Sequence, residues 1–323
     1  MRVAQVKEFG GPEVLVTTEV PDPVAGPGEA VVAVSVVDTI FVETQIRSDA
    51  FGEHFAVQPP YVPGGGIAGT VRAVGEGVDE AWIGRRVITS LGFTGGYAEQ
   101  AVASAAKLVP VPDGLELREA AALVHDGVTA TALLESTGLG AGDRVLILGA
   151  SGGMGTLLVQ LAKAVGAEVV GVARGGLKTS LVRELGADAV VDATSPDWVA
   201  LARTALGPSG ADVVLDGVGG ELGLAAFPLT ADGGRFSAHG APTGDFAPVD
   251  AAEAERRGIK LLGIGDVQLS DEEYARLAAK ALTEAASGRL HPVIGGEFPL
   301  ERASEAHAAI EGRGLRGKVL LTT

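Results

Sequence analysis

The segment Val145-Leu-Ile-Leu-Gly-Ala-Ser-Gly-Gly-Met-Gly155 constrains this chain more than any other, because four consecutive apolar residues run into a glycine-rich turn and helical periodicity follows. A short uncharged run of this kind reads as a strand buried on both faces of a parallel sheet. The turn matches A-x-G-x-x-G, with Ala150 where the dinucleotide-binding fingerprint usually has its first glycine. Gly152 would let the backbone approach a pyrophosphate, and Gly155 would let the helix pack closely, with the helix N-terminus facing the negative charge. Ala150, Ser151, Gly152, Gly153, Met154 and Gly155 are therefore candidate cofactor ligands. A tight turn that binds nothing is the competing reading.

The next strand ends at Val172-Ala173, about 20 residues beyond the turn, where an acidic residue would bond a ribose 2′-hydroxyl. Here the chain has Arg174, two glycines and then Lys178. Two cations and no acid favour a 2′-phosphate, hence NADPH over NADH. Solvated charges at the start of a helix are the alternative.

At 323 residues the chain exceeds one ordinary core, so two domains are expected. The first third is rich in Val, Gly and Pro and reads as antiparallel strands at Arg2 to Lys7, Val14 to Glu19, Glu29 to Val37 and Gly69 to Val74, the texture of a barrel. An apolar run from Ala120 to Leu134 has helical periodicity. Strands and helices then alternate to about Ile264, which predicts an α/β fold with a doubly wound parallel sheet. A long helix over Asp271 to Ser287, a stretch with Pro and Gly from Leu290 to Pro299, a helix over Glu301 to Glu311 and a terminal strand complete the pattern.

No cysteine is present, which excludes disulfides and thiolate zinc sites. A formal charge of −16 argues against nucleic acid or an anionic membrane as partner. Neither a signal-peptide pattern nor an apolar stretch of membrane-spanning length is evident, so a soluble cytoplasmic protein is expected.

Several segments together resemble the zinc-independent quinone oxidoreductases of the medium-chain dehydrogenase/reductase superfamily. They are Val6 to Leu15, Val62-Pro-Gly-Gly-Gly-Ile-Ala-Gly-Thr-Val71, Ala73 to Val78, Gly96-Tyr-Ala-Glu99, Gly149 to Gly166, Leu185 to Val190, Asp212 to Gly220 and Gly317-Lys-Val-Leu320. The resemblance implies a GroES-like β-barrel catalytic domain from residues 1–122 and 267–323 and a Rossmann NADPH-binding domain from 123–266. It also implies an active site in the cleft between them and a homodimer. Zinc-dependent members of the superfamily hold their metal at positions that here read Ile40, Gly65 and His125. Only one of these has a ligating side chain, so no metal site is expected.

The segment before the coenzyme domain lines the nicotinamide in that family, which directs attention to His125, Asp126 and Thr129. His125 would donate a proton to a reduced quinone oxygen or an enolate, with Asp126 orienting a neighbour, unless His125 is only a packed wall residue. The family tends to have Asn, Asp and Tyr where this chain has Ile40, Glu43 and Gln45, which implies an atypical substrate pocket. Phe41 and Tyr61 are candidate pocket walls, though aromatic residues at such places are as often core. His239 falls at a strand's carboxyl end, where open α/β sheets bind ligands, and Lys318 stands where relatives approach the cofactor. Both are candidate cofactor contacts, with a solvated histidine and a surface lysine as the alternatives. His54, His291 and His307 have no motif context and receive no role. Reduction of a quinone or similar conjugated carbonyl is the leading expectation. Reduction of an activated C=C bond, as by an enoyl or enone reductase acting on a polyketide-like substrate, competes with it, as does NADPH binding with little turnover.

Overall fold

The computed structural model describes residues 1–50, 52 and 55–323, and His54 lies outside them. The chain divides into two units, Met1–Val128 with Leu269–Thr323, and Thr129–Gln268.

The first unit opens with the antiparallel pair β1 (Arg2–Val6) and β2 (Leu15–Glu19). It continues through β3 (Glu29–Thr39), α1 (Phe41–Arg47), β4 (Gly66–Val74), β5 (Arg86–Ser90), β6 (Gln100–Ser104), β7 (Val109–Pro110), α2 (Leu117–Ala121) and the start of α3 (Asp126–Thr137). The eleven-residue β3 organises the sheet: Glu29 to Ala33 pair with β6, while its carboxyl end turns to other partners. Its inward residues Val32, Val34 and Val37 join Ile67, Val71, Val87 and Tyr97 in one core.

The expected helical run from Ala120 to Leu134 is interrupted. Helix α2 stops at Ala121 and α3 begins at Asp126, because the backbone N–H of His125 leaves the helical ladder and donates to Asp38 at 3.2 Å. A single tertiary bond thus overrides local periodicity and sets the direction of the His125 side chain.

The second unit alternates β8 (Arg144–Leu148), α4 (Gly153–Ala164), β9 (Glu168–Ala173), α5 (Gly176–Glu184), β10 (Ala189–Asp192), α6 (Trp198–Leu206), β11 (Ala211–Asp216), α7 (Gly220–Ala226), β12 (Thr230–Ala238), α8 (Ala251–Arg256) and β13 (Lys260–Gly263). All six strands are parallel, in the order β10-β9-β8-β11-β12-β13. The winding reverses between β8 and β11, and the carboxyl ends of strands at such a switch point are where ligands bind.

The chain returns to the first unit through α9 (Asp271–Ala286), β14 (Ile294–Pro299), α10 (Ala303–Glu311) and β15 (Lys318–Thr322). Ser270 and Glu273 cap α9 reciprocally, and its Leu277, Ala278, Ala281, Leu282 and Ala285 form the buried face. Strand β15 pairs antiparallel with the carboxyl end of β3, and β14 runs parallel to β15. The Pro- and Gly-containing stretch from Leu290 to Pro299 therefore contains a strand, and the sheet of this unit is not purely antiparallel. Among the described residues no helix is long and apolar enough to cross a membrane.

Candidate active site

Four charged or titratable side chains from distant parts of the chain converge in the first unit. Asp38, fully buried on β3, lies opposite Leu320 of β15 and Gly66 of β4. Lys318, the first residue of β15, places its Nζ 2.5 Å from Asp38 Oδ1 and 3.0 Å from Asp126 Oδ2. His125 Nδ1 is 2.8 Å from Asp38 Oδ2. A carboxylate accepts, so Nδ1 carries the proton toward Asp38 and Nε2 faces away. Two carboxylates and two cationic groups balance when His125 is protonated, as buried charges require.

The direction of each shift follows from this packing. Burial alone would push the His125 imidazolium to a lower pKa, but the hydrogen bond and charge of Asp38 outweigh it, so the value rises above the ordinary 6.5. Burial likewise opposes ionisation of Asp38, and the charge of Lys318 with the bond to His125 overcomes it, so this carboxyl is lowered. For Asp126, burial and the Asp38 charge prevail over Lys318, and its pKa is raised. Lys318 is buried too, yet two carboxylates hold it protonated.

The His125 ring rests against a backbone with no side chains. A Cβ on Gly66 would lie 2.8 Å from both Cε1 and Nδ1, and one on Gly65 would lie 1.9 Å from the carbonyl oxygen of Gly92. Position 65 therefore admits no ligating side chain. The His125 side chain keeps 20% of its surface exposed, and among the described residues its Nε2 makes no hydrogen bond.

Behind that glycine wall lies a second buried network. Glu43 Oε1 accepts the Gly65 N–H at 2.9 Å, and Oε2 accepts the Ile40 N–H at 3.1 Å and the Tyr97 hydroxyl at 2.9 Å. Tyr97 Oη is 2.8 Å from His307 Nε2, while Arg47 Nε donates to His307 Nδ1 at 3.2 Å and its Nη2 pairs with Glu311. The arginine fixes the tautomer: Nδ1 accepts, so Nε2–H donates to Tyr97. Burial and the Arg47 charge push the His307 pKa down to about 3, which keeps the ring neutral. His307, without motif context in the sequence, is thus a core member of a polar relay.

Three of the proposed pocket residues belong to α1 and its cap, and the fourth, Tyr61, lies on a later segment. Ile40 caps α1 through its backbone, Phe41 lies under the Arg313 guanidinium at 5.6 Å, and Gln45 is half-buried on the same helix. Tyr61 is buried and borders an open depression of about 440 Å³ with Val57, Gln58, Val62 and Thr94. Burial pushes its hydroxyl pKa up to about 12.

In the second unit the turn after β8 is built around Gly155. A Cβ on Gly155 would lie 2.2 Å from the carbonyl oxygen of Gly149 and 2.8 Å from the Ala150 backbone, so only glycine lets α4 start here. Gly152 differs, since its nearest neighbour would be Gly149 O at 3.4 Å and it is exposed. Ala150 and Ser151 are buried, while Gly153 and Met154 are half-buried in the first turn of α4. The Ala150 N–H donates to the Val172 carbonyl at 3.1 Å and the Gly152 N–H to the Gly149 carbonyl at 3.0 Å, whereas the first-turn amides of Gly153 and Met154 have no helical partner, the arrangement that suits an anion. Arg174 is exposed just beyond β9, and Lys178 lies in the first turn of α5. The Gly175 N–H between them donates to Asp192 Oδ1 at 2.9 Å, which fixes the loop.

His239 follows β12 and is buried, with Nδ1 3.4 Å from Ser237 Oγ; burial lowers its pKa to about 4, so it is a neutral donor or acceptor. Thr129 is half-buried on α3. Asp216, at the end of β11, accepts the N–H groups of Val218 and Gly219, each at 2.9 Å, and shapes the neighbouring turn.

Sequence reasoning paired His125 with Asp126 and named Lys318 as a cofactor contact, and the structure brings all three together through Asp38, which it missed. Nothing in a Val-Val-Asp-Thr strand end distinguishes this aspartate from a solvent-facing one. Lys318 is no surface lysine, since only 4% of it is exposed.

Known proteins match along the whole chain. Residues 26–113 match the alcohol dehydrogenase GroES-like domain and residues 185–321 the domain described as zinc-binding dehydrogenase. Human quinone oxidoreductase is 32% identical over 325 residues, covering 99% of this chain and 97% of its own. A 2-haloacrylate reductase from a Burkholderia species is 30% identical, covering 98% of each chain. Among solved structures, a mycobacterial protein complexed with NADPH is 32% identical with a TM-score of 0.92 and complete coverage of both chains.

Proposed function

The chain belongs to the quinone oxidoreductase family of the medium-chain dehydrogenase/reductase superfamily, and from that premise we propose that it reduces a quinone or similar conjugated carbonyl by hydride transfer, without zinc. It is an NADPH-dependent oxidoreductase, in keeping with the NADPH complex of its structural relative. Bound NADPH supplies the hydride, so the protein has to hold the dinucleotide, orient the acceptor and deliver one proton.

The observation that carries the reading is His125, anchored through Nδ1 to Asp38 with part of its ring exposed. The imidazolium Nε2–H polarises an acceptor oxygen and then gives it a proton, the electrostatic task that a metal performs elsewhere. Asp38 holds the tautomer, and Lys318 holds Asp38 and Asp126 in place. The donor set does not fit zinc. Ile40 is apolar, Gly65 has no room for a side chain, and an ammonium already sits between the two carboxylates.

A second reading, reduction of an activated C=C bond, draws on the 2-haloacrylate reductase relative. Hydride would reach the β-carbon, and His125 would protonate the resulting enolate. Following NADPH oxidation with 1,4-naphthoquinone and with an α,β-unsaturated ketone separates the two readings, with turnover of the quinone alone expected. Activity should survive dialysis against a chelator, and stoichiometric zinc in the active protein would contradict the metal-free mechanism. Absence of turnover on both acceptors despite tight NADPH binding would favour a binding role.

Cofactor choice rests on Arg174 and Lys178. Charge-assisted hydrogen bonds contribute about 1.5–3 kcal/mol each, so Arg174→Ala should weaken NADPH binding by at least about tenfold. NADH, which lacks the 2′-phosphate, should bind the variant as it binds the parent in a fluorescence titration. Equal losses for both would remove Arg174 from cofactor selection. A cytoplasmic homodimer is the state we propose from the family.

A further inference from the structure

We propose that Glu43 is a positioning residue for His125: it fixes the Gly65–Gly66 backbone on which the imidazole rests, and the relay Arg47–His307–Tyr97 fixes Glu43 in turn. This inference deepens the proton-donor reading above and rests on it.

A buried glutamate at the third position of a helix has a simpler use, which is to cap the helix by accepting the N–H that precedes it. Here that task occupies Oε2 alone, through Ile40. Oε1 reaches instead to Gly65, on a different segment of the chain. Position 65 is confined to glycine by the Gly92 carbonyl, and glycine loses more freedom on ordering than any other residue. Its backbone is therefore held by hydrogen bonds rather than by a side chain: the N–H donates to Glu43, and the C=O accepts from the Leu91 N–H at 2.7 Å. Release of the first bond frees the surface that the His125 ring touches.

Geometry at the other oxygen supports the same role. Every group aimed at Glu43 is a donor, so the carboxylate is the form that satisfies all three bonds, although burial raises its pKa. Tyr97 is held protonated by burial and by the Glu43 charge, and it receives the proton of neutral His307. The relay cannot reverse while Arg47 occupies His307 Nδ1. The ionised groups that act on His125 are then Asp38 from β3, Glu43 from α1 and Lys318 from β15, with Asp126 beside them at the head of α3.

The test is a double-mutant cycle with a pH axis. Glu43→Gln keeps volume, but it sets an amide N–H₂ or a lone carbonyl against donors that need two acceptors. Its kcat with NADPH and 1,4-naphthoquinone should fall about tenfold, within the hundredfold that a misplacement of about 1 Å can cost. The alkaline limb of kcat should move to lower pH, because a negative charge that helps hold the imidazolium is gone. NADPH affinity, which belongs to the other unit, should be unchanged. In a His125→Asn background the same substitution should cost nothing further, since its effect passes through the ring. If Glu43→Gln fails to fold, Tyr97→Phe carries the test, with a loss of about threefold in the parent and none beside His125→Asn. Equal losses in both backgrounds, or a limb that stays in place in Glu43→Gln, overturn the role of Glu43 alone. Retention of the limb in His125→Asn overturns the donor assignment itself, a separate result.

Discussion

Replacement of Gly155 by alanine should weaken NADPH binding by about a hundredfold and lower the stability of the coenzyme-binding unit. The added Cβ would meet the Gly149 carbonyl oxygen at 2.2 Å and the Ala150 backbone at 2.8 Å. Neither obstacle is the end of a flexible side chain, so relief requires α4 to move away from the turn. Overpacking of this kind costs about 1–3 kcal/mol, and it displaces the amides that would hold the diphosphate. Gly152→Ala provides the contrast. Its Cβ would stand 3.4 Å from the nearest atom, in ordinary contact, so folding should be unaffected. The methyl group would nonetheless project from an exposed position at the helix start and should weaken the cofactor without lowering the melting temperature. Fluorescence titration with NADPH and thermal unfolding of both variants separate the effects. Native affinity in Gly155→Ala would mean that the dinucleotide does not use this turn.

What the sequence disclosed and what it concealed divide along the range of the interactions. In the second unit the decisive contacts are local: β8, the turn and α4 follow one another within 21 residues, and apolar periodicity with Gly149, Gly152, Gly153 and Gly155 specifies them. Strands β8, β9 and β10 accordingly fall where the pattern of buried residues predicts. The placement of Arg174 just beyond β9 and of Lys178 in the first turn of α5 is legible for the same reason, because both follow the turn at a short fixed spacing. The first unit is different. Asp38, His125 and Lys318 meet only after β3, β4 and β15 have paired, and that register joins residues some 280 positions apart. A strand-end aspartate and a lysine after glycine have no periodic signature. Strand β14 is hidden by Gly295 and Gly296, which remove the alternation that would reveal it, and is specified instead by pairing with β15. His307 shows the same limit, since its helix α10 reads as ordinary and only tertiary packing places it beside Tyr97 and Arg47.

The buried charge cluster leads to the other large effect, on His125. Substitution by asparagine should lower kcat with a quinone acceptor by about 10²–10³-fold, the range general acid catalysis contributes. Asparagine keeps a polar group near Asp38 but cannot release a proton at neutral pH. The pH dependence carries the sign. A donor must be protonated, and the folded His125 has its pKa raised above 6.5 by Asp38. Parent activity should therefore be full at acidic pH and fall as the pH rises through that elevated value. Asp38→Asn removes the hydrogen bond and charge that raise it and leaves burial unopposed, so the limb should move to lower pH, with reduced kcat at neutrality. Loss of Asp38 also leaves Lys318 with only one carboxylate, and removing one partner from a buried ion pair costs about 3–5 kcal/mol. Thermal stability should fall in Asp38→Asn far more than in His125→Asn, because the histidine ring is partly exposed and the aspartate is not. Rate–pH profiles of the parent and both variants, measured at saturating NADPH, discriminate sharply. A limb that persists unchanged in His125→Asn would assign the proton to another group.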